Sequence, residues 1–412
     1  MSEIRPLEDQ EFPAFVEIFA NAYPAMLPEN FGKEQKQGLC ERWSKAQESG
    51  ANMYYGCFRE GKLVGGMRLF DFIMNIHGIM IPVGGVGSIC VDLACKKEHV
   101  AKELVEYYLR HYHEKGTSMT ALYPFRPDFY RKMGWGYGAK MNQYRINPGD
   151  LPRGSKEDLH YLKAADAEAV CECFNNYVTR THGMVLKEPA YFARVLERGR
   201  VIGVKNGDKI SGFLSFGFKK KYKDHFLLHD LEINDLVYDN AKSLSKLLTF
   251  LQTQLDQVNR IIYNTQDPDF HWLIHDPRNG EPNIFKTSQE SNVQGLGIMY
   301  RVIDTSGIFK QLEEHNFNNV SLKLKINIRD SFHPENNQSH VLHFENGKAK
   351  IAEDDYDTEI SIDISEFSSL LLGVIEFNKL IEYGIAKISN PEYTKLVNTS
   401  FKSQKPVTTE QF

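Results

Sequence analysis

The pattern of hydrophobic and polar positions along the chain predicts an α/β unit in residues 1–147. Apolar residues recur at helical spacing near the start, and two period-two segments, 53–58 and 63–72, flank a Glu60-Gly61 turn and predict a hairpin. A period-two segment at 83–93, with glycines suited to a β-bulge, leads into a loop and an amphipathic helix that ends at Gly116. A last strand is predicted at 119–122.

A similar order recurs in residues 148–297. Helices are predicted near 166–177 and 191–198, an Asn206-Gly207 turn joins two strands, and a strand at 231–236 precedes a leucine-rich helix and a strand at 260–263. The two strand-to-helix corners align as copies, but the second contains Asp239 and neither Lys nor Arg, so we expect it not to bind a phosphate.

The remaining residues, 298–412, show a different pattern. Period-two strands at 320–328, 341–344 and 359–364 are interspersed with helices near 308–314, 367–373 and 391–400. This is the pattern of a compact α+β domain of ordinary size. The chain as a whole is therefore predicted to have a mixed α/β (α+β) fold, divided into domains at 1–147, 148–297 and 298–412.

Composition narrows the functional classes. The chain has 412 residues and a formal charge of −5, with basic residues scattered rather than striped, which excludes an electrostatic nucleic-acid surface and mildly favours a cationic substrate. No apolar run reaches the roughly 20 residues of a membrane span, and no leader follows Met1, so we expect a cytoplasmic protein without a membrane partner. Six cysteines without a C-x-x-C pair predict reduced thiols and no structural zinc.

The corner after the 83–93 strand has the outline of an anion site. A basic loop with Lys96 and Lys97 precedes the start of a helix, where unpaired N–H groups and the helix dipole favour a pyrophosphate. An aromatic loop, 124–137, follows the next strand. An ordinary solvated corner explains the Lys pair equally well when the loop is considered alone. The order of strand, loop, helix, strand and aromatic loop favours an acyl-CoA site.

The whole chain resembles the Eis (enhanced intracellular survival) family of GNAT acetyltransferases. The likeness rests on the segments 89–101, 121–137 and 299–304 and on the terminal Phe412. It implies an active GNAT domain, a degenerate second GNAT domain and a sterol-carrier-like C-terminal domain. It also implies acetyl-CoA as the cosubstrate and, from the family's habit, a homo-oligomer.

The resemblance assigns roles to individual residues. It implies that Tyr130 is the general acid and that the α-carboxylate of Phe412 is the base. His99 stands where the family has glycine, and Lys96 and Lys97 replace arginines, so the grip on the phosphates differs in detail. The implied coenzyme contacts are Ile89, Cys90, Val91, Lys96, Lys97, His99 and Val100.

The chemistry is consistent with that assignment. Acetyl transfer to an amine needs a carboxylate to take a proton and a donor for the departing thiolate. No metal is expected, since His111 and His113 lie two residues apart on a helix and do not face one site. The predicted function is acetyl-CoA-dependent N-acetylation of a primary amine on a small cationic acceptor, aminoglycoside-like or a polyamine. The alternatives are a protein lysine acetyltransferase, an aminoacyl or long-chain acyl transferase, and a non-catalytic protein that holds an apolar ligand in its sterol-carrier-like domain.

Overall fold

A computed structural model describes residues 2–50, 52–220, 227–353, 355–410 and 412, which contain three β-sheets. No helix in this part of the chain has the length and apolar character needed to cross a membrane.

The first part of the chain forms the strands and helices expected of an α/β unit. Its longest amphipathic helix buries Val100, Leu104, Tyr108 and Tyr112 at spacings of four, because these positions share one helix face. The elements are β1 (Glu3–Pro6), α1 (Phe12–Ala22), α2 (Lys33–Glu48), β2 (Met53–Arg59), β3 (Lys62–Ile76), β4 (Ile79–Val91), α3 (Val100–Glu114), β5 (Met119–Leu122), α4 (Pro127–Arg131), β6 (Gly136–Tyr137) and β7 (Met141–Ile146).

The middle part repeats this order. The predicted leucine-rich helix forms, and Leu247, Leu248 and Leu251 bury its apolar face. The elements are β8 (Leu159–Tyr161), α5 (Ala167–Arg180), α6 (Pro189–Arg198), β9 (Arg200–Asn206), β10 (Lys209–Lys220), β11 (His229–Tyr238), α7 (Ala241–Gln252), β12 (Val258–Thr265), β13 (Asn292–Gly295) and β14 (Met299–Val302).

The last part has a five-stranded sheet, in the order β17-β16-β15-β18-β19, covered by helices. Inward-facing residues of β15 alternate with partly exposed lysines, which is the period-two signal seen in the sequence. The elements are α8 (Thr305–Gln311), β15 (Leu322–Arg329), β16 (Ser339–Glu345), β17 (Lys348–Ala352), β18 (Thr358–Asp363), α9 (Ile364–Leu371), α10 (Phe377–Glu382), β19 (Lys387–Ile388) and α11 (Thr394–Phe401).

The two larger sheets exchange strands, which corrects the assignment of residues near 147 and 297. The first sheet has the order β1-β2-β3-β4-β5-β14-β6, and the second has the order β13-β7-β12-β11-β10-β9-β8. β7, predicted in the first domain, pairs with β12 and β13, whereas β14, predicted in the third, is inserted between β5 and β6. All four residues of β14 are buried, so this strand needs neighbours on both edges and faces. A short apolar strand carries no local signal of which sheet it joins.

Three histidines from the three parts of the chain stack on one another. The ring of His77, in the β3–β4 turn, lies 4.2 Å from that of His182 and 4.5 Å from that of His315. Nδ1 of His182 accepts the backbone N–H of His77 at 3.1 Å, and its Nε2 lies 3.2 Å from the carbonyl oxygen of Leu372. Burial lowers the pKa of His182 to about 3 and that of His315 to about 4. The stack is therefore built for neutral imidazoles.

We expect the free energy of unfolding to fall as the pH drops below the ordinary histidine pKa of about 6.5. The pKa values of His182 and His315 are lower in the folded chain, so between about pH 6.5 and about pH 3 to 4 the unfolded chain binds more protons than the folded one. The stabilisation is therefore complete only above about pH 6.5. For His182 the loss at pH 5 is roughly 2 kcal/mol. Urea unfolding of wild type and His182→Gln at pH 7.5 and 5 measures it, with exposed His160→Gln as control. Equal acid losses in wild type and His182→Gln would contradict the assignment.

Candidate active site

The first sheet opens into a wedge between β4 and β5. These parallel strands pair only from Val83 to Val86 of β4, opposite Met119 to Leu122 of β5. β4 continues past that point to Val91, paired on its other edge with β3. Residues 87–91 therefore present a strand edge that β5 does not cover, which is the geometry by which an extended amide-bearing chain adds to a sheet.

A β-bulge turns the strand at the opening of the wedge. The register between β3 and β4 shifts between Gly66 and Arg68, and Ser88 has a left-handed φ of 51°. The bulge thus follows Gly87. Gly84 and Gly85 have a different use, since a Cβ at either position would meet the ring of Tyr112 or Phe72.

The predicted coenzyme residues on β4 differ in what they offer. The carbonyl oxygen of Ile89 accepts a hydrogen bond from the Tyr23 hydroxyl at 2.6 Å. The Cys90 side chain is 2% exposed and packs into the core under α1, so only its backbone faces the wedge region. Burial raises the pKa of that thiol well above its usual range, which keeps it protonated and unreactive. Val91 lies opposite Gly65 at the end of the strand.

The loop between β4 and α3 carries the other predicted coenzyme residues. Lys96, Lys97 and His99 are exposed, while Val100 is buried and begins the helix. Lys97 and His99 have φ values of 66° and 67°. Arg59 fastens the loop by donating to the Glu98 carbonyl at 2.8 Å and to its carboxylate at 3.0 Å. The loop therefore presents two cationic side chains and the start of a helix to the same solvent region, as an anion site requires.

His99 holds the conformation that a glycine would hold without strain. A left-handed backbone costs a residue with a Cβ about 1 kcal/mol, and the Cβ also limits approach to the loop backbone. We expect His99→Gly to stabilise the fold by up to about 1 kcal/mol and to lower KM for acetyl-CoA a few-fold. Thermal unfolding and initial rates measure both effects, and His99→Ala, which keeps the Cβ, is the matched control. A higher KM in both variants would show instead that the imidazole binds the coenzyme.

Tyr130 lies on α4, within the aromatic loop that follows β5. Its ring packs edge-on against Phe129 and Trp135, with centroids 5.2 and 5.9 Å apart, and the residue is 6% exposed. Burial raises the pKa of its phenol to about 12. The phenol is therefore protonated at neutral pH and is able to donate.

The C-terminus reaches back to the mouth of this wedge. The ring of Phe412 packs against Phe70, Phe72 and Tyr123 at centroid distances of 5.3, 4.9 and 5.5 Å. A Cβ built on Gly87 would lie 2.8 Å from the carboxyl carbon of Phe412, so the terminal carboxylate lies against the backbone where β4 leaves β5. Among the described residues, the aromatic rings packed against Tyr130 are different from those packed against Phe412.

The tail before Phe412 is held by bonds to the first and middle parts of the chain. The Tyr123 hydroxyl donates to the Glu410 carbonyl at 2.7 Å, and the N–H of Val407 donates to the His182 carbonyl at 2.8 Å. The side chains of Lys187 and Glu410 form an ion pair that is mostly buried. A side-chain hydroxyl, a backbone carbonyl and a cation thus hold the last residues in an extended path.

A cavity of about 1090 Å³ adjoins the tail. It lies in a second wedge, where β11 runs past its parallel pairing with β12, which ends at Ile233 and Tyr263. Asp235 lies in its wall, and burial raises the pKa of that carboxyl to about 6. The ionisable side chains around the cavity are mainly acidic: Glu232, Asp235, Asp267, Asp269 and Glu410, with Arg194, Arg198 and Lys405.

The corner that follows β11 differs from the one that follows β4. Asn240 caps α7 by accepting from the N–H of Ser243 at 3.0 Å. Arg180 donates to the carbonyls of Tyr238 and Asp239, so the backbone of this corner already engages its guanidinium group. The absence of Lys and Arg from this corner was apparent in the sequence, but Arg180, which comes from α5, was not.

Family comparisons agree with this architecture. Residues 3–138 and residues 183–302 each match a sequence profile described as an acetyltransferase (GNAT) domain, and residues 309–409 match a sterol carrier protein domain. The chain belongs to the GNAT acetyltransferases. The prediction of an Eis-like order, two GNAT domains followed by a sterol-carrier-like domain, is confirmed, and the non-catalytic alternative is set aside.

Solved structures share the fold of this acetyltransferase over its full length. Each of three covers 100% of both chains: a GCN5-related N-acetyltransferase from Anabaena variabilis (17% identity, TM-score 0.81), another from Kribbella flavida (16%, 0.78) and Eis1 from Mycobacterium abscessus (18%, 0.76). Comparison with curated protein sequences finds no match.

Several residues around this acetyltransferase's wedge escaped the sequence analysis. Tyr23, which follows α1, donates to the strand edge at the carbonyl of Ile89. Lys187 and Asp235 come from the second unit and approach Glu410 of the tail. Their partners are far away in sequence, so only a pattern of acidic residues at the second corner could have hinted at Asp235.

Proposed function

We propose that this acetyltransferase transfers the acetyl group of acetyl-CoA to a primary amine of a small cationic acceptor. The observation that carries the proposal is the position of the Phe412 carboxyl group, which lies against Gly87 at the mouth of the first wedge. A carboxylate at the point where two parallel strands part is positioned to accept a proton there.

Acetyl-CoA fits the first wedge rather than the second. The first has an uncovered strand edge at residues 87–91, a left-handed bulge and a loop with two lysines at the start of α3. The backbone of Ile89, Cys90 and Val91 would bind the amides of the pantetheine arm, and Lys96, Lys97 and the N–H groups near His99 and Val100 would bind the phosphates. Acetyl-CoA supplies the thioester that is attacked.

The chain's own groups would handle the protons. The carboxylate of Phe412 accepts a proton from the attacking amine, directly or through one water, as the new C–N bond forms. The phenol of Tyr130 donates a proton to the sulfur when the C–S bond breaks, and its raised pKa keeps that proton available at neutral pH. Solvent returns both groups to their starting states.

The acceptor would occupy the cavity beside the tail. Glu410 lines this cavity, and Phe412 follows two residues later, so an amine held there lies next to the proposed base. The excess of carboxylates, with Asp235 in the wall, favours an acceptor with more than one positive charge. A volume of about 1090 Å³ suits a molecule of aminoglycoside or polyamine size.

A thiol-release assay over a panel of amines tests the proposal. The panel contains aminoglycosides, linear polyamines and lysine peptides, with hydroxyl analogues as neutral controls. We expect release with polycationic amines and none with the hydroxyl analogues. Turnover confined to lysine peptides would replace the small acceptor by a protein lysine, and the absence of turnover with every amine would refute the proposal.

Asp235→Asn should raise KM for a polycationic acceptor about tenfold, because the variant removes one carboxylate from a partly desolvated wall. KM for acetyl-CoA should stay within about twofold, since Asp235 lies on β11 and is not one of the groups proposed to bind the coenzyme on β4 and the loop after it. Steady-state kinetics against both substrates measures the change, and Asp256→Asn, on an exposed position of the same unit, is the control. Equal effects of the two variants would contradict a role for Asp235 in acceptor binding.

A further inference from the structure

Two histidines and a glutamate from distant parts of the chain converge beside the last turn of α3. His113 comes from that turn, whereas His333 and Glu335 lie between β15 and β16, around the short helical turn Pro334–Asn336. One donor atom from each lies within 4.8 Å of the others, and the two imidazole rings have centroids 5.5 Å apart. The proposed acetyl transfer uses none of the three.

His333 offers a buried ring nitrogen that has no hydrogen-bond partner among the described residues. The side chain is 12% exposed, and the nitrogen in question is its Nε2. A buried ring nitrogen without a hydrogen-bond partner destabilises the fold, and a bound ion would satisfy it.

A buried network fixes the turn that carries His333. Oδ1 of Asp330 accepts the backbone N–H groups of Phe332 and His333 at 3.1 and 2.9 Å. Its Oδ2 pairs with Arg301 at 2.7 Å, and both side chains are fully buried. The charge of Arg301 is therefore balanced by Asp330, and His333 is held in place before any ion arrives.

We propose that His113, His333 and Glu335 bind one divalent transition-metal ion, zinc by preference, which fastens α3 to the third domain. Two imidazoles and a carboxylate are a ligand set that suits zinc, whereas magnesium prefers oxygen ligands. Nε2 of His333 and Oε2 of Glu335 are 3.5 Å apart, close to the roughly 3.3 Å between two ligands of a tetrahedral zinc ion. Glu335 is 74% exposed and is free to rotate toward the ion, and water fills the fourth position.

The site fastens one end of a helix whose other end carries the coenzyme loop. His113 is in the last turn of α3, and the loop ending at His99 precedes its first residue. An ion here acts on the stability of the contact between α3 and the third domain and is not a participant in acetyl transfer. Metal binding should therefore raise Tm, while turnover of the metal-free enzyme remains.

Zinc titration of the full-length, chelator-treated and reduced protein tests this site. Competition with a chromogenic zinc indicator should give one equivalent, bound at least about a hundredfold more tightly than magnesium. Cobalt in place of zinc should give visible absorption bands of a four-coordinate site without the near-ultraviolet band of a thiolate ligand. His113→Ala, His333→Ala and Glu335→Gln should each weaken zinc binding at least about tenfold. Exposed His160→Ala and the partly exposed Cys95→Ser are the controls and should bind as wild type does.

Glu335→Gln keeps the test decisive if a histidine variant folds poorly, because the side chain is exposed and its replacement is isosteric. Wild-type zinc affinity in Glu335→Gln and in folded His113→Ala would overturn the proposal. A thiolate band that disappears in Cys95→Ser would also overturn it, since the ion would then sit on a cysteine. Acetyl transfer by metal-free Glu335→Gln should match that of the metal-free wild type.

Discussion

Deletion of Phe412 is expected to lower kcat by about 10²–10⁴, the usual contribution of a positioned general base. The carboxyl group of this residue lies against Gly87, where the strand edge proposed to bind the coenzyme begins. Acetyl-CoA binding should be unchanged, because the loop at Lys96 and Lys97 is made by other parts of the chain. Steady-state kinetics with a responsive amine and calorimetric titration with acetyl-CoA measure the two quantities separately.

Two further variants separate the charge from the ring. Addition of one glycine after Phe412 keeps the ring on Phe70 and Phe72 but moves the carboxylate away, and it should be as damaging as the deletion. Phe412→Leu keeps the carboxylate and loses only ring contacts, so its kcat should fall by no more than about tenfold. The acid limb of the pH–rate profile should be lost in the glycine extension and kept in Phe412→Leu. Full activity of the extended chain would remove Phe412 from the mechanism.

Gly87→Ala approaches the same question from the strand. Its Cβ would be 2.8 Å from the carboxyl carbon of Phe412, which is closer than non-bonded carbon atoms lie in folded proteins. The variant therefore tests whether the position of the carboxylate matters when its chemistry is unchanged. If Gly87→Ala and the glycine extension lower kcat to the same degree, the loss comes from the displaced carboxylate and not from a general disturbance of the tail.

Local pattern was enough to predict many elements of this fold, although it missed the helix α2 (Lys33–Glu48). The strand that ends at Val91, the helix that begins at Val100 and the leucine-rich α7 all follow from spacing within a dozen residues. The assignment of β7 and β14 was wrong because strand pairing is decided by partners more than a hundred residues away. Arg301 of β14 illustrates the point, since its partner across the sheet is Thr120 of β5.

The site shows the same division. The resemblance assigned coenzyme contacts within residues 89–100, one contiguous segment, and that role stays a prediction, whereas the bond from Tyr23 to Ile89 depends on the fold. The histidines make the contrast sharpest. His113 was weighed against His111, its neighbour two residues before, and that pair was rejected on helical geometry; its neighbour in space is His333. Spacing along a helix excludes two residues of that helix as a metal-binding pair, but it does not show which residues of another domain pack beside them.

Tyr130→Phe is expected to lower kcat at neutral pH by about 10²-fold or more, because the departing thiolate loses its proton donor. The change removes one oxygen and keeps the ring against Phe129 and Trp135, so stability should change by about 1 kcal/mol or less. Acetyl-CoA affinity should be close to that of wild type, since a group needed only when the C–S bond breaks contributes little to ground-state binding.

The pH dependence identifies the step that Tyr130 serves. Its pKa is raised to about 12, so the phenol of the wild type stays protonated through mildly alkaline pH and the rate should show no decline there from its ionisation. In Tyr130→Phe the deficit should shrink with a more acidic leaving thiol, which departs without a proton. Tyr123→Phe is the matched control: it also loses a hydroxyl, but that hydroxyl holds the Glu410 carbonyl, so its defect should resemble that of the tail variants and be insensitive to the leaving thiol. Equal sensitivity of both variants to the leaving thiol would contradict the assignment of Tyr130 as the acid.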